Sequence, residues 1–381
     1  MTSAPFEAST QIVFGAGQVS TLGEFAQRLA ANRVLVVSDP GVVSAGHTHR
    51  GIEFLTAAAL ETILFDGVQE NPSTANVDEG LAVAKSFRPD LIVAIGGGSS
   101  MDCAKGINFL YSCGGRMRDY WGIGKATGPL VPMIAVPTTA GTGSEAQSFA
   151  LISDAETHVK MACGDKRAAF RVAILDPELT LTQPPRVAAL AGFDALSHAV
   201  ETYVTKKRND VSCDFSRQAW QALAPNFLRV LREPHDLMAR GQMQRGACLA
   251  GSAIEHSMLG AAHALANPLT ATYGIVHGEA IALMLPHVVR FNGREYDAWY
   301  RELLATTELE PNGPRGGAVE LADFLRHVAN EAGLSDKLEA CGVSRERLPE
   351  LADGAASQWT ATFNPIQVDR NDLLSLYEAA Y

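Results

Sequence analysis

The residues predict a Rossmann-like α/β N-terminal domain, with a mostly parallel sheet, followed by an all-α C-terminal domain. Three observations carry that expectation. Short apolar runs alternate with helical patterns through the first half, and strand signals nearly vanish beyond about Arg186. A length of 381 residues also exceeds what one ordinary core supports. The boundary is expected near residue 181, giving an α/β domain over 1–180 and a helical domain over 181–381.

The strands are expected at "RVLVVSD" (33–39), "ETILFD" (61–66), "DLIVAIGGG" (90–98) and "PMIAVPTT" (132–139). Each is a continuous apolar run closed by turn or polar residues, the pattern of a strand buried on both faces. "TLGEFAQRLAA" and "NVDEGLAVAKSF" carry helical spacing between them, as parallel βαβ units require. A second β-rich group, "SFALISD", "HVKMACGD" and "FRVAILDPE", follows. Long Ala/Leu-rich helical stretches then begin with "RVAALAGFDALSHAVETYV", and "EPNGPRGGA" (310–318) reads as a surface loop.

Composition excludes several classes of function. Hydrophobic residues make up 47% and charged residues 19%, the balance of a soluble globular chain. A formal net charge of -11 argues against nucleic acid and anionic membranes, whose binding needs a basic surface. No apolar run reaches the roughly 20 residues that cross a bilayer. "MTSAPFEAST" shows no secretory pattern. The six cysteines (103, 113, 163, 213, 248, 341) are irregularly spaced with no C-x-x-C pair, as expected of reduced thiols in a cytoplasmic protein.

Five stretches carry chemistry. In "AIGGGSSMDCAK" (94–105) a buried strand runs into Gly96, Gly97 and Gly98 and then a helix. Free N–H groups and the positive end of the helix dipole suit a pyrophosphate there. The bland alternative is an ordinary glycine turn, with Ser99 and Asp102 as a capping box. Asp39 closes a strand where an acid can accept from ribose hydroxyls and repel a 2′-phosphate, or can simply form a turn before Pro40. "VPTTAGTGSEAQ" (136–147) crowds Thr138, Thr139, Thr142 and Ser144 around two glycines at another strand end. It is either a ligand-binding loop or a solvated turn.

"GFDALSHAVE" sets Asp194 and His198 at i, i+4 on one face of an otherwise apolar helix. A buried carboxylate is costly unless paired or bound to a cation. The pair is therefore either half of a divalent-metal site or an Asp–His hydrogen bond. "HALANPLTATYGIVHGEA" (263–280) adds His263 and His277, with Pro268 and Gly274 interrupting the chain between them. His256, seven residues before His263, is an alternative ligand on the same helical face. Arg116, Arg118 and Lys125 are either surface charges, the plainer reading, or anchors for an anionic substrate.

Together "GGGSSMDCAK", "PTTAGTGSE", "LDPELT", "GFDALSHAVE" and "H…YGIVHGEA", in this order, resemble the iron-containing (group III) alcohol dehydrogenase family over most of the chain. The resemblance implies the dehydroquinate synthase-like fold of that family. It implies metal ligands at Asp194, His198, His263 and His277, passing over His256. It also implies dinucleotide contacts from Asp39, Asn71, Gly97, Gly98, Ser99, Asp102, Thr138, Thr139, Thr142 and Lys160. The cofactor expected is NAD rather than NADP. The metal expected is Fe²⁺, with Zn²⁺ as its competitor for a nitrogen- and oxygen-rich site.

The implied reaction is hydride exchange between the nicotinamide and a small alcohol or aldehyde polarised by the cation. A homodimer or larger homo-oligomer is the assembly that the resemblance implies. Alternatives within reach are a hydroxyacid–oxoacid transhydrogenase and, further off, a lyase like the dehydroquinate synthases. The D-x-x-x-H pairing without a basic cluster counts against the lyase, and an intact ligand set against the metal-free maleylacetate reductases. Relatives often read His-Ala-x-x-His-Pro where this chain has Asn267, a neutral amide that cannot relay a proton as imidazole can.

Overall fold

A computed structural model describes residues 10–157, 159–307 and 317–381. The stretch 1–9, His158 and most of the expected loop at 310–318 lie outside the described residues, while 317 and 318 open a helix. The chain divides into two compact units, residues 1–139 with 144–182, and residues 140–143 with 183–381.

In the first unit, the main sheet is built from β1 (Gln11–Phe14), β2 (Arg33–Val37), β3 (Glu61–Phe65) and β4 (Leu91–Gly96). A two-residue strand β5 (Gly122–Ile123) intervenes before β6 (Met133–Pro137). Then come β7 (Phe149–Ser153), β8 (Lys160–Gly164) and β9 (Val172–Leu175). The main sheet has the order β1-β9-β6-β4-β2-β3, and every pair in it is parallel.

The uninterrupted apolar runs are explained by burial on both faces. Val34, Val36, Val93, Ile95 and Ile134 pack on one side against Leu22 and Phe25 of α1 (Leu22–Arg28). Leu35, Val37, Ile92, Ala94 and Ala135 pack on the other against α4 (Thr74–Phe87) and α5 (Gly98–Cys113). Each large apolar side chain so buried contributes about 1.5–3 kcal/mol.

The second β-rich group does not stay together. β9 joins the main sheet, whereas β7 and β8 pair antiparallel in a separate sheet with β5. Three elements escape the periodicity. β1 is an edge strand with Ile12 and Phe14 exposed, so it lacks a fully apolar run. The pair α2 (Pro40–Ser44) and α3 (His47–Ala57) is built from "PGVVS" and "HTHRGIEFLTA", in which few residues repeat at helical spacing.

The second unit contains α6 (Pro185–Val204), α7 (Asp210–Leu223), α8 (Phe227–Arg232), α9 (Leu237–His256) and α10 (Ala261–Tyr273). It continues with α11 (His277–Leu304), α12 (Gly317–Glu331), α13 (Leu348–Ala356) and α14 (Arg370–Ala380). Phe193, Leu196, Trp220, Leu265, Leu285 and Tyr377 belong to its single large core. Among the described residues no helix is long and apolar enough to cross a membrane.

Candidate metal centre and dinucleotide loop

Three helices of the second unit bring the ligand candidates together. The i, i+4 spacing on α6 aims Asp194 and His198 at the same point, and both are buried. His263 sits in the first turn of α10 and His277 is the first residue of α11. Gly278 explains how α11 begins so close to α6. A β-carbon there would stand 2.3 Å from the Leu190 carbonyl oxygen.

The geometry at that point is unusual for a metal-free hydrogen-bond network. Asp194 Oδ1 is buried and accepts no hydrogen bond. Yet Nε2 of His198, His263 and His277 surround it at 3.3, 3.5 and 3.7 Å. Nε2 of His198 and His263 are themselves 3.1 Å apart. Two ligand atoms each about 2.1 Å from one ion, at a tetrahedral angle, stand about 3.4 Å apart. The observed separations are those of atoms arranged around a shared cation, and the residues fit one. Asp194, His263 and His277 form a compact ligand group by themselves, and His198 adjoins it. The His277 side chain is 27% exposed and marks the open side of the cluster.

Electrostatics agree. Burial pushes the Asp194 carboxyl up, but the imidazoles of His198, His263 and His277 pull it well below the usual carboxylate range. Burial holds His198 down at about 4, so it is neutral and available as a donor of electrons. Its Nδ1 makes no hydrogen bond of ordinary geometry, although the Gly141 carbonyl is close enough to act on it. Burial also lowers His263, but the nearby carboxylates of Asp194 and Glu201, the latter hydrogen-bonded to its Nδ1, outweigh it and raise this histidine to about 9.

Two expectations need correction. His256 is not on the face of His263, because the chain breaks at Ser257–Gly260 between α9 and α10. His256 is exposed, with Nδ1 against the Ser252 carbonyl and its ring against Phe215. Pro268 does not interrupt the chain either. It lies inside α10, and the stop is Gly274, left-handed at φ 68°. Glu201, which sequence reasoning missed, touches the cluster: Oε2 accepts from His263 Nδ1 at 2.5 Å. Its signal was the same helical face, since 194, 198 and 201 follow i, i+4, i+7.

The dinucleotide candidates lie mostly at the C-terminal ends of the adjacent strands β2, β4 and β6. Gly96 adopts φ 155° and Gly97 caps α5 with no side-chain partner, leaving the first N–H groups of that helix uncapped. Helix 98–113 thus starts before Ser99, so the Ser99–Asp102 capping box does not form. Thr138 N–H donates to the Gly96 carbonyl at 3.0 Å, and Thr139 Oγ1 flanks Gly97. Asp39 forms the turn expected before Pro40 and also reaches the glycine loop. Its Oδ1 caps α2 by accepting from Val42 N–H, and its Oδ2 accepts from Ser100 Oγ at 3.2 Å beside the glycine loop.

The other candidates are placed apart from that loop. Lys160 Nζ donates to Asn71 Oδ1 at 3.2 Å, joining two residues far apart in sequence, and Asn71 is left-handed at φ 53°. Asp102 accepts from Ser144 Oγ at 2.7 Å beside Lys105, whose ammonium is buried against the Ser144 and Phe149 carbonyls. Burial raises the Asp102 carboxyl. Thr142 is exposed and belongs to the second unit. Arg118 pairs with Asp154 and Glu156, the behaviour of a surface charge.

Comparison with known proteins places the chain in a family. "Iron-containing alcohol dehydrogenase" matches residues 9–177, and "Fe-containing alcohol dehydrogenase family, C-terminal" matches residues 188–381. The chain is 34% identical to 1,3-propanediol dehydrogenase of Klebsiella pneumoniae, covering 97% of this chain and 96% of that protein. It is 36% identical to NAD-dependent methanol dehydrogenase of Bacillus methanolicus, covering 97% of each. A crystal structure of 1,3-propanediol oxidoreductase superimposes with TM-score 0.94 at 32% identity, covering 98% of both chains. With two characteristic domains matched in order, the chain belongs to the iron-containing alcohol dehydrogenase family.

Proposed function

We propose that this protein is an iron- and NAD-dependent dehydrogenase that interconverts small alcohols and aldehydes, with Asp194, His198, His263 and His277 as the metal ligands. The observation that carries the reading is Asp194 Oδ1, buried without a hydrogen bond at the centre of three imidazole nitrogens. A bound divalent cation supplies Lewis-acid polarisation of a substrate oxygen. The protein's own part is to hold four donors at one point and to keep His198 neutral by burial. His277 is the partly exposed member of the cluster, and we place the substrate oxygen on its side.

In the first unit, the uncapped start of α5 offers N–H groups and a positive dipole end to a pyrophosphate. Asp39 keeps lone pairs for ribose hydroxyls and repels a 2′-phosphate, which favours NAD over NADP. Gly97, Gly98, Ser99, Thr138 and Thr139 line the same strand ends, and Asn71, Asp102 and Lys160 complete the contacts proposed for this unit. A short substrate is supported by two relatives, named for 1,3-propanediol and for methanol. The six free cysteines and the lack of a membrane-crossing helix among the described residues support a cytoplasmic enzyme. A homodimer or larger homo-oligomer is the assembly we propose.

The test is anaerobic reconstitution with Fe²⁺ followed by NADH formation from a panel of short alcohols. The reading expects one metal per chain and turnover that stops on chelation. Metal-independent turnover, or full turnover by His263→Ala, would contradict it.

A further inference from the structure

The helix that carries His263 begins without a cap of its own. Gly260 at its N-cap has no side chain, so the first N–H groups of α10 must find partners elsewhere. They find two, from distant parts of the chain. Ala262 N–H donates to Glu201 Oε1 at 2.8 Å, and Ala261 N–H donates to Asn364 Oδ1 at 3.3 Å. Glu201 uses its other oxygen on His263 Nδ1. One buried carboxylate thus fixes both the start of the helix and the ring at its first turn, and its charge suits the positive end of the helix dipole.

Asn364 is as fully engaged. Its Nδ2 donates to Asn292 Oδ1 and to the Ile366 carbonyl, each at 2.8 Å, and Asn292 Nδ2 donates back to Asn364 Oδ1 at 3.0 Å. Asn292 lies on α11, the helix that begins with His277. Glu201 and Asn364 therefore tie together α6, α10 and α11, the three helices that supply the ligand candidates. Space is tight where they meet: a β-carbon on Gly260 would stand 3.0 Å from Glu201 Oε1 and 3.2 Å from Asn364 Oδ1.

We propose that Glu201 and Asn364 are positioning residues that jointly set the orientation of His263, and through it the affinity for the metal. The proposal rests on the reading of His263 as a ligand. A carboxylate that accepts from one ring nitrogen leaves the other nitrogen unprotonated and aimed at the cation, fixing tautomer and angle together. Glu201 can do that only where its own position is fixed, and its bond from Ala262 N–H helps to fix it. Asn364 makes it a built site, because it fixes the backbone at Ala261 while Glu201 fixes Ala262 and the imidazole.

The experiment uses the full-length protein stripped of metal and titrated with Co²⁺, read by its visible absorption and by chelator competition. Thermal melting of the metal-free forms runs alongside. Glu201→Gln keeps size but replaces one acceptor with a donor facing either Ala262 N–H or His263 Nδ1. Its Co²⁺ affinity should fall roughly 10- to 100-fold, with an altered absorption band. Asn364→Ala, which touches no ligand, should weaken binding about tenfold, and Glu201→Asp should recover part of the loss. Gly260→Ala should act in the same direction, and with Asn364→Ala it carries the test if Glu201→Gln does not fold. Variants that melt lower but bind Co²⁺ within twofold of wild type overturn the proposal, since that is a purely structural role. A wild-type chain that binds no Co²⁺ overturns the metal-centre reading as well. Normal wild-type binding with unchanged variants overturns this inference alone.

Discussion

The two candidate sites are built from opposite materials. The dinucleotide loop is mostly backbone: glycines, an uncapped helix start, and hydroxyls at strand ends, with Asp39 already satisfied by Val42 and Ser100. The metal cluster is entirely side chain, and Asp194 Oδ1 at its centre is buried without a hydrogen bond. A backbone site can stand ready without its ligand at little cost. A cluster of buried carboxylate and imidazoles cannot, because each unmet charge or lone pair in a low-dielectric interior is destabilising. The metal should therefore contribute to the stability of the helical unit, whereas the nucleotide should mainly add binding.

The largest effect should come from the ligands themselves. His263→Ala is expected to lower kcat/KM by at least about a thousandfold, a loss of roughly 4 kcal/mol of transition-state stabilisation. Steady-state NADH assays at saturating Fe²⁺ check this. An Asp39→Gly variant with equal loss would break the contrast between the sites.

Next comes pH. Because His263 is raised to about 9 and His198 held down at about 4, metal binding below about pH 9 must displace the His263 proton but none from His198. The apparent metal affinity should therefore rise about tenfold per pH unit up to about pH 9 and then level off. The linkage sign follows for the metal-free protein. His263 is raised above its ordinary 6.5, so its contribution to stability is full below that value and is lost as pH rises through about 9. Metal titrations and thermal melts across this range measure both.

A smaller effect belongs to the backbone-built site. Asp39→Gly should improve NADPH use relative to NADH by about tenfold, because one carboxylate near a 2′-phosphate is worth roughly 1–2 kcal/mol. An unchanged ratio would remove Asp39 from cofactor selection. The smallest concerns Asn267, one turn beyond His263, whose Nδ2 donates to Gln358 Oε1 at 2.9 Å. Asn267→His puts a titrating ring where a neutral amide pair now stands. The pH profile of kcat/KM should gain an inflection near the ordinary histidine value, about 6.5. A profile identical to wild type would show that position 267 stands outside the proton path.

Most of the fold was legible in the residues because parallel strands buried on both faces leave unbroken apolar runs, as in "VLVV" and "LIVAI". The edge strand β1 was not, since Ile12 and Phe14 face outward and one apolar face is too weak a signal over four residues. Asp194 and His198 were visible as a pair through helical spacing. Glu201 shared that face and could have been found with them, whereas Asn364 could not. Its partners Ala261 and Asn292 lie far from it in sequence, so only the folded chain brings them together. Likewise "AIGGGSSMDCAK" gave no hint that Lys105 would be wholly buried, because a lysine in a helical pattern ordinarily reads as surface.

The most direct test of the contrast is thermal unfolding of metal-free protein with and without Fe²⁺ under anaerobic conditions, in wild type and in Asp194→Asn. At a hundredfold excess over Kd, binding to the native state adds about 3 kcal/mol, a rise in Tm of roughly 5–10 °C. The account predicts that rise for wild type and its loss in Asp194→Asn. Equal melting of wild type with and without Fe²⁺, or an undiminished rise in Asp194→Asn, would contradict the claim that this cluster is built around a cation.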